Sequence, residues 1–351
     1  MSCQFQRILL TRLRYIGDVV LTTPIIRSLR VACPQAFIAY LGEKAAVSLL
    51  EHNPCLDEII PFDPSRPTLL EQSRVALLVR KRRFDLVIDL FSNPRSALLT
   101  YVSGARTRVG LERRGRGKLY TVRVTPPSGS LTAIEFHNQF LRAVGLAPSA
   151  GRTEIFLTEA EQLEAQRYVA RLAGVDDSRK TGVRYIGIHP GATWPAKRWL
   201  PERFAEPANV LVQRTGAHIL LTAGAKDGEI AKEVLGHTIS GVHLLHNVPL
   251  RQLAAVISRC AVFISNDAAP MHIAAAVGTP TIGLFGPGEE AIWFPYPLTT
   301  GHRALRKDVP CHPCHLDVCN RAGDGYMECM KLLTVNEVVK AAEWALARAD
   351  A

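Results

Sequence analysis

Short runs of branched and aromatic residues alternate with longer amphipathic stretches along the chain. In the first half, residues 7–11, 36–41, 59–62 and 86–90 read as strands. After the first comes a loop and a helical segment toward Arg30, after the second a helix through Leu50, and after the third a helix over 69–82. This rhythm is that of a parallel sheet covered on both faces. A second series begins near residue 184, with strands at 185–189, 218–223, 262–265 and 281–285. Its helices open at Pro201, where a missing N–H costs nothing, and cover 227–235, 250–260 and 270–277. Pro207 should kink the first of these. A last helix over 334–349 carries Val335, Val338, Val339, Ala342 and Leu346 at helical spacing. Between the series lie a polar helical stretch, 158–172, and a charged run, 176–180. The expected division is therefore 1–172, 173–332 and a terminal helix, 333–351.

Length and composition agree with this division. A chain of 351 residues is comfortable for two domains. With 47% hydrophobic and 21% charged residues it is ordinary globular material. No apolar run reaches the roughly 18 residues of a membrane span. Near the N-terminus, Arg7, Arg12 and Arg14 flank only Ile8-Leu9-Leu10, which is not a secretory pattern. The expectation is a cytoplasmic protein.

Charge changes the picture. The net charge is +10. Residues 1–150 hold 21 Lys and Arg against 11 Asp and Glu, and the remainder holds 21 against 21. The whole excess lies in the first part, at Arg80-Lys81-Arg82-Arg83 and between Arg106 and Arg123. An anionic partner follows, either nucleic acid, a phosphorylated glycolipid or an anionic membrane face, with a solvated basic surface as the plain alternative. Of eight cysteines, Cys3, Cys33, Cys55 and Cys260 are scattered, and a cytosolic chain keeps most of its thiols reduced. Cys311, Cys314, Cys319 and Cys329 cluster around His312 and His315. Their spacing departs from a CxxC pair, so reduced structural thiols are the expectation, and a structural metal or disulfide the alternative.

Three stretches carry candidate chemistry. TRLRYIGDVVLTTP (11–24) ends a strand and places Gly17 and Asp18 at a helix start. Ligands of open α/β sheets bind at such strand ends, although Asp there is also a good N-cap. A helix N-terminus favours the ionised carboxylate and weakens it as a base, so a catalytic Asp18 needs a partly desolvated site. HPGATWPAKRW (189–199) brings Thr193, Lys197 and Arg198 onto a Gly-containing loop suited to a diphosphate, or is a turn with surface cations. ISNDAAPMHIAAAVGTPTIGLFG (264–286) runs from a strand through Asp267, Ala268 and Ala269 into a helix whose N-terminus attracts phosphate. His272, in its first turn, reads by itself as a hydrogen-bonded core histidine.

In order and spacing these three stretches resemble glycosyltransferase family 9, the ADP-heptose:lipopolysaccharide heptosyltransferases. The residues that match are Gly17-Asp18; His189-Pro190-Gly191 with Trp194, Lys197, Arg198 and Trp199; and Asp267 with Pro270, Met271, His272, Gly278, Pro280 and Phe285-Gly286-Pro287. The similarity spans nearly the whole chain. It implies an α/β GT-B fold, two Rossmann-like domains with parallel sheets facing a central cleft. The first would bind the acceptor and the second the sugar nucleotide, and the last helix would cross back to the first domain. It further implies inverting, metal-independent transfer of heptose from ADP-heptose to the inner core of lipopolysaccharide. The acceptor would be a phosphorylated glycolipid, Kdo-lipid A or a heptosylated form, reached at the inner-membrane face. No cofactor is implied beyond the donor.

In that reading Asp18 is the general base and Lys197 the diphosphate cation. Gly17, Thr193, Arg198, Asp267, Ala268, Ala269, Met271 and His272 bind substrate, and Glu229 or Asp227 the ribose. The pattern departs from the family where Ala268-Ala269 replaces a hydroxyl-containing pair, leaving backbone N–H groups to hold the phosphate. Three other readings compete. A sugar-nucleotide epimerase of similar architecture would need no acceptor. A non-enzymatic nucleic-acid binder would use the basic half, but no recognisable module supports it and few aromatics interleave the cations. An NAD-dependent oxidoreductase would need a G-x-G-x-x-G where this chain has R-Y-I-G-D.

Overall fold

The computed structural model of the chain describes residues 3–125, 129–175 and 183–349; the charged run 176–180 lies outside them. The chain forms two compact units, Met1–Phe156 and Leu157–Ala351.

The first unit runs β1 (Arg7–Thr11), α1 (Ile16–Val20), α2 (Thr23–Ala32), β2 (Phe37–Glu43), α3 (Lys44–Val47), β3 (Glu58–Phe62), α4 (Thr68–Lys81), β4 (Leu86–Asp89), α5 (Pro94–Val102), β5 (Thr107–Leu111), β6 (Val122–Val124) and α6 (Ala133–Arg142). Its six strands stand in the order β3-β2-β1-β4-β5-β6, all parallel. β1 is central because both its faces are apolar. Ile8 and Leu10 pack with Val19, Ile25 and Leu29 on one side, and Leu9 with Val75, Val79 and Leu99 on the other. Such two-sided burial is why its sequence is a continuous apolar run rather than an alternation.

The second unit runs α7 (Glu159–Ala173), β7 (Tyr185–His189), α8 (Pro201–Thr215), β8 (His218–Ala223), α9 (Gly228–Gly236), β9 (Val242–His246), α10 (Leu250–Ile257), β10 (Cys260–Asn266), α11 (Ala269–Ala276), β11 (Thr281–Leu284), α12 (Glu290–Trp293), β12 (Arg303–Leu305), α13 (Glu328–Lys331) and α14 (Val335–Ala349). The strand order β12-β11-β10-β7-β8-β9 repeats that of the first unit when counted from its own first strand, and all pairs are again parallel. Each unit is thus doubly wound, with helices on both faces.

The structure departs from the sequence expectation in several places. The boundary falls before residue 157 rather than after 172. Thr158 caps α7 through Glu161. Glu161 also pairs with Arg251 of α10 at 2.5 Å, and Ala165 and Val169 pack with Leu220 and Ala255. That helix belongs to the second unit. So does α14, expected to cross to the first domain: Val338, Ala342, Ala345 and Leu346 enter the second unit's core beside Trp199, Phe204 and Ile264. α8 continues through Pro207 to a left-handed Gly216. Cys3 and Cys33 are joined in a disulfide, and the other six cysteines are free thiols.

Candidate active site

In a doubly wound sheet, the crevice for ligands lies beyond the carboxyl ends of the two strands where the winding reverses. In the first unit these are β1 and β4. Asp18, third residue of α1, accepts the Tyr15 N–H at 3.2 Å through one oxygen and pairs with the Arg12 guanidinium through the other. Arg12 also donates to the Leu90 carbonyl at 2.8 Å and lies over the Phe91 ring, 4.8 Å from its centroid. Only 16% of the Asp18 side chain is exposed.

Behind this pair, β4 ends in Asp89, which is fully buried. Its carboxylate accepts the N–H groups of Phe91 and Ser92 at 3.1 and 2.8 Å and the Tyr120 hydroxyl at 2.7 Å. Burial still pushes its pKa up, against these hydrogen bonds. Ser92 takes a left-handed conformation, φ 52°. It is held there by donating its hydroxyl to the Asp89 carbonyl and accepting the Leu111 N–H. The Tyr120 ring lies flat on Gly110, where a Cβ would come within 2.2 Å of Cζ. Asp89 thus shapes the 90–92 loop, that loop holds Arg12, and Arg12 holds Asp18. Nearby His137 is buried, with Nδ1 3.3 Å from the Leu21 carbonyl. Burial first, and the Arg12 charge second, push its pKa down to about 3.

In the second unit the reversal lies between β7 and β10. Asn266, at the end of β10, accepts the Trp199 N–H at 3.0 Å and donates to the Pro190 carbonyl at 2.7 Å. It clamps both ends of the 190–199 loop. Trp199 is fully buried, and its indole N–H reaches the Leu333 carbonyl at 3.1 Å. So fixed, the loop sets the Lys197 ammonium 2.5 Å from Asp267 Oδ2 and 4.6 Å from the Trp194 ring centroid. Gly288 closes another side, since a Cβ there would come within 2.8 Å of Asp267 Oδ2. Arg198 turns inward to donate to the Ala192 carbonyl at 2.9 Å, and Thr193 is exposed. Ala268 is the extended N-cap of α11, which begins at Ala269. Asp227 packs on Gly191 and accepts the Gly224 N–H at 3.1 Å. His189 is buried with Nδ1 3.0 Å from both oxygens of Thr222, and burial lowers its pKa.

Some expected site residues stand elsewhere. Glu229 is exposed and pairs with Lys232 at 2.9 Å, so of the two acidic residues it is Asp227 that meets the 189–199 stretch. The Met271 side chain is fully buried with Phe285 and Phe294, beneath α11 rather than beside a ligand. His272 is buried with Nδ1 2.7 Å from the Tyr296 hydroxyl. Sequence reasoning passed over Arg12, Asp89 and Asn266. The signal for Asp89 and Asn266 was available: each is a polar residue ending a largely apolar strand.

Among the described residues no group of three or more His, Cys, Asp or Glu side chains is arranged to hold a metal ion. The segment bearing Cys311, Cys314, Cys319 and Cys329 instead props the second unit's loops. The Asp317 carbonyl accepts the Ala196 N–H, the His315 N–H donates to the Pro287 carbonyl, and a His312 ring nitrogen meets the Gly288 carbonyl, each at 3.0 Å. Met330 is fully buried against Gly286.

Comparison with known proteins bears on this arrangement. The model of the family "Glycosyltransferase family 9 (heptosyltransferase)" matches residues 73–322. The chain is 30% identical over 298 residues to lipopolysaccharide heptosyltransferase 3 of Escherichia coli K12, covering 81% of this chain and 83% of that one. A crystal structure of the glycosyl transferase family 9 protein from Veillonella parvula aligns at a TM-score of 0.85, with 26% identity and 99% of each chain covered. The E. coli ADP-heptose lipopolysaccharide heptosyltransferase II aligns at 0.79, with 23% identity over 99% of this chain and 100% of that one. The two six-stranded parallel sheets and these neighbours make the fold α/β, of the GT-B type.

Proposed function

The chain belongs to glycosyltransferase family 9 and is a heptosyltransferase of lipopolysaccharide core biosynthesis, and we propose that it carries out inverting, metal-independent transfer from ADP-heptose to Kdo-lipid A or a heptosylated inner core. One observation carries this reading above others. At the reversal point of the second unit, a lysine ammonium is held by Asp267 and Trp194 at the mouth of α11, where a departing diphosphate would lie.

Asp18 takes the proton of the acceptor hydroxyl as that oxygen attacks the anomeric carbon. Arg12 on one oxygen and the Tyr15 N–H on the other hold the carboxylate in a fixed orientation. Attack opposite the nucleotide inverts the centre, through a transition state of oxocarbenium character. The bond from carbon to the diphosphate oxygen breaks, and ADP leaves with the electron pair. Lys197 and the N–H groups at Ala268 and Ala269 offset the growing negative charge; losing one such group lowers the rate by about 10²–10³. Gly17, in the first turn of α1, puts no side chain beside Asp18, and exposed Thr193 stands on the loop that carries Lys197. The basic first unit suits a phosphorylated acceptor on the anionic inner face of the membrane.

The test is ADP release from ADP-heptose, with and without Kdo-lipid A, for the wild type and Asp18→Asn. Acceptor-dependent release that collapses in the variant is expected. Release that survives Asp18→Asn removes Asp18 as the base; no release with any core acceptor removes the donor and acceptor assignment.

A further inference from the structure

α4 and α5 lie side by side in the first unit and bury only their inward faces. Val75 and Val79 of α4 and Leu99 of α5 enter the core. Outward, Leu69, Leu70 and Leu77 of α4 are 79%, 69% and 72% exposed, and Leu98 and Tyr101 of α5 are 50% and 53% exposed. Single exposed leucines are ordinary, but five large apolar side chains on two adjoining helices form a patch of the kind that marks an interaction site. Leu70 and Leu77 are two helical turns apart, and Leu98 and Tyr101 one turn, so each pair shares a face. Leu77 and Tyr101 line the same open cavity of about 620 Å³, with Arg80 and Arg108 at its edge.

Arg80 is shared with a second opening of about 670 Å³, lined by Lys81, Arg83 and Arg106. Its guanidinium sits where a Cβ on Gly104 would lie, which plants the cation between the two openings. Among the described residues, Arg80, Lys81, Arg83, Arg106 and Arg108 make no ion pair. The acidic residue at the second opening, Asp85, is turned away from them: its two oxygens accept the N–H groups of Gln6 and Arg7. The patch is therefore apolar in the middle and uncompensated positive at the rim.

We propose that this α4–α5 face docks the protein onto an anionic lipid bilayer, with the leucines and Tyr101 at the acyl boundary and the cations among the headgroups. An interfacial surface is recognised by this pairing of exposed leucines and aromatics with Lys and Arg. A nucleic acid would use the cations and leave the leucines in water. A second copy of the chain would bring the same five cations against themselves. Docking as such is independent of catalysis; its use, to present the enzyme to a membrane glycolipid, rests on the function proposed above.

The experiment is vesicle sedimentation of the full chain with phosphatidylglycerol–phosphatidylethanolamine and with pure phosphatidylcholine vesicles. The expected result is binding to the anionic vesicles that weakens with salt and is far lower on phosphatidylcholine. Lys81→Gln/Arg106→Gln, at exposed positions that leave the fold intact, should weaken it about 25-fold, roughly fivefold per cation. Leu70→Asp/Leu77→Asp should abolish it while ADP release with a water-soluble acceptor is unchanged. Equal binding by both double variants overturns the proposal. So does a change in oligomeric state without a change in vesicle binding, which would assign the face to a second copy. Vesicle binding by a wild type that releases no ADP would uphold the docking and fail only the assigned reaction.

Discussion

Replacing Lys197 by alanine tests the construction of the second unit's site and its chemistry together. Asp267 is buried, 7% exposed, and its Oδ2 meets the ammonium at 2.5 Å. Removing one member of a buried pair strands the other charge, at a cost of about 3–5 kcal/mol. Lys197 keeps some contact with solvent, which puts the expected loss near the lower end, about 3 kcal/mol. At about 2–4 °C per kcal/mol for a unit of this size, the melting transition should fall by about 6–12 °C. Asp267→Asn should cost less, because the freed ammonium can swing out to water on its flexible stem. Lys197→Ala/Asp267→Asn should recover much of the loss, since no unpaired charge remains. Calorimetry on the four proteins closes a double-mutant cycle. ADP release read in parallel separates the two roles. A lysine that faces the donor diphosphate leaves the double variant about 10²–10³ slower despite its regained stability. A Lys197→Ala protein within about 1 kcal/mol of the wild type would refute the burial reasoning. A fully active double variant would reduce the lysine to a counter-ion for Asp267.

Arg12→Gln releases Asp18 from the guanidinium that holds it, and misplacement of a catalytic group by about 1 Å can cost 10²-fold; kcat should fall while the KM for the donor holds, and an unchanged kcat in steady-state assays would remove Arg12 as a positioning residue. His137 is held neutral at about pKa 3, below the roughly 6.5 of an unfolded chain. The unfolded state therefore binds the extra proton between these values, and stability is lost as pH falls through that window, at up to about 1.4 kcal/mol per pH unit; urea unfolding at pH 7 and 5 should show a shallower slope for His137→Gln, and identical slopes would contradict it. Gly110→Ala drives a methyl into the Tyr120 ring and loosens its hydrogen bond to Asp89. It should cost about 2–3 kcal/mol in thermal unfolding, and a loss below about 0.5 kcal/mol would mean that the ring yields freely.

The alternation of apolar runs with amphipathic stretches determined the α/β class, the two series and the loops that carry chemistry. This was legible because a strand buried on both faces, such as Ile8-Leu9-Leu10, must be apolar throughout. The same logic failed where strands are short or half-exposed. β6 and β12 have three residues each and β9 reads VHLLH, so none carries a usable period, and the arginines of 106–123 hide β5 and β6. Periodicity also shows that a helix has an apolar face without saying what covers it. That is why amphipathicity alone does not place α7 and α14, whose Ala165 and Val338 lie in the second unit's cores.

The three motifs named Asp18, Lys197 and Asp267 from the sequence, but only the strand order decided their partners. Lys197 and Asp267 are seventy residues apart and meet because β10 returns to lie beside β7, skipping over β8 and β9. Arg12 meets both Asp18 and the 90–92 loop because β4 lies against β1. Neighbours in a doubly wound sheet are set by the crossovers that bury its faces, and that choice belongs to the whole unit rather than to any local stretch of chain.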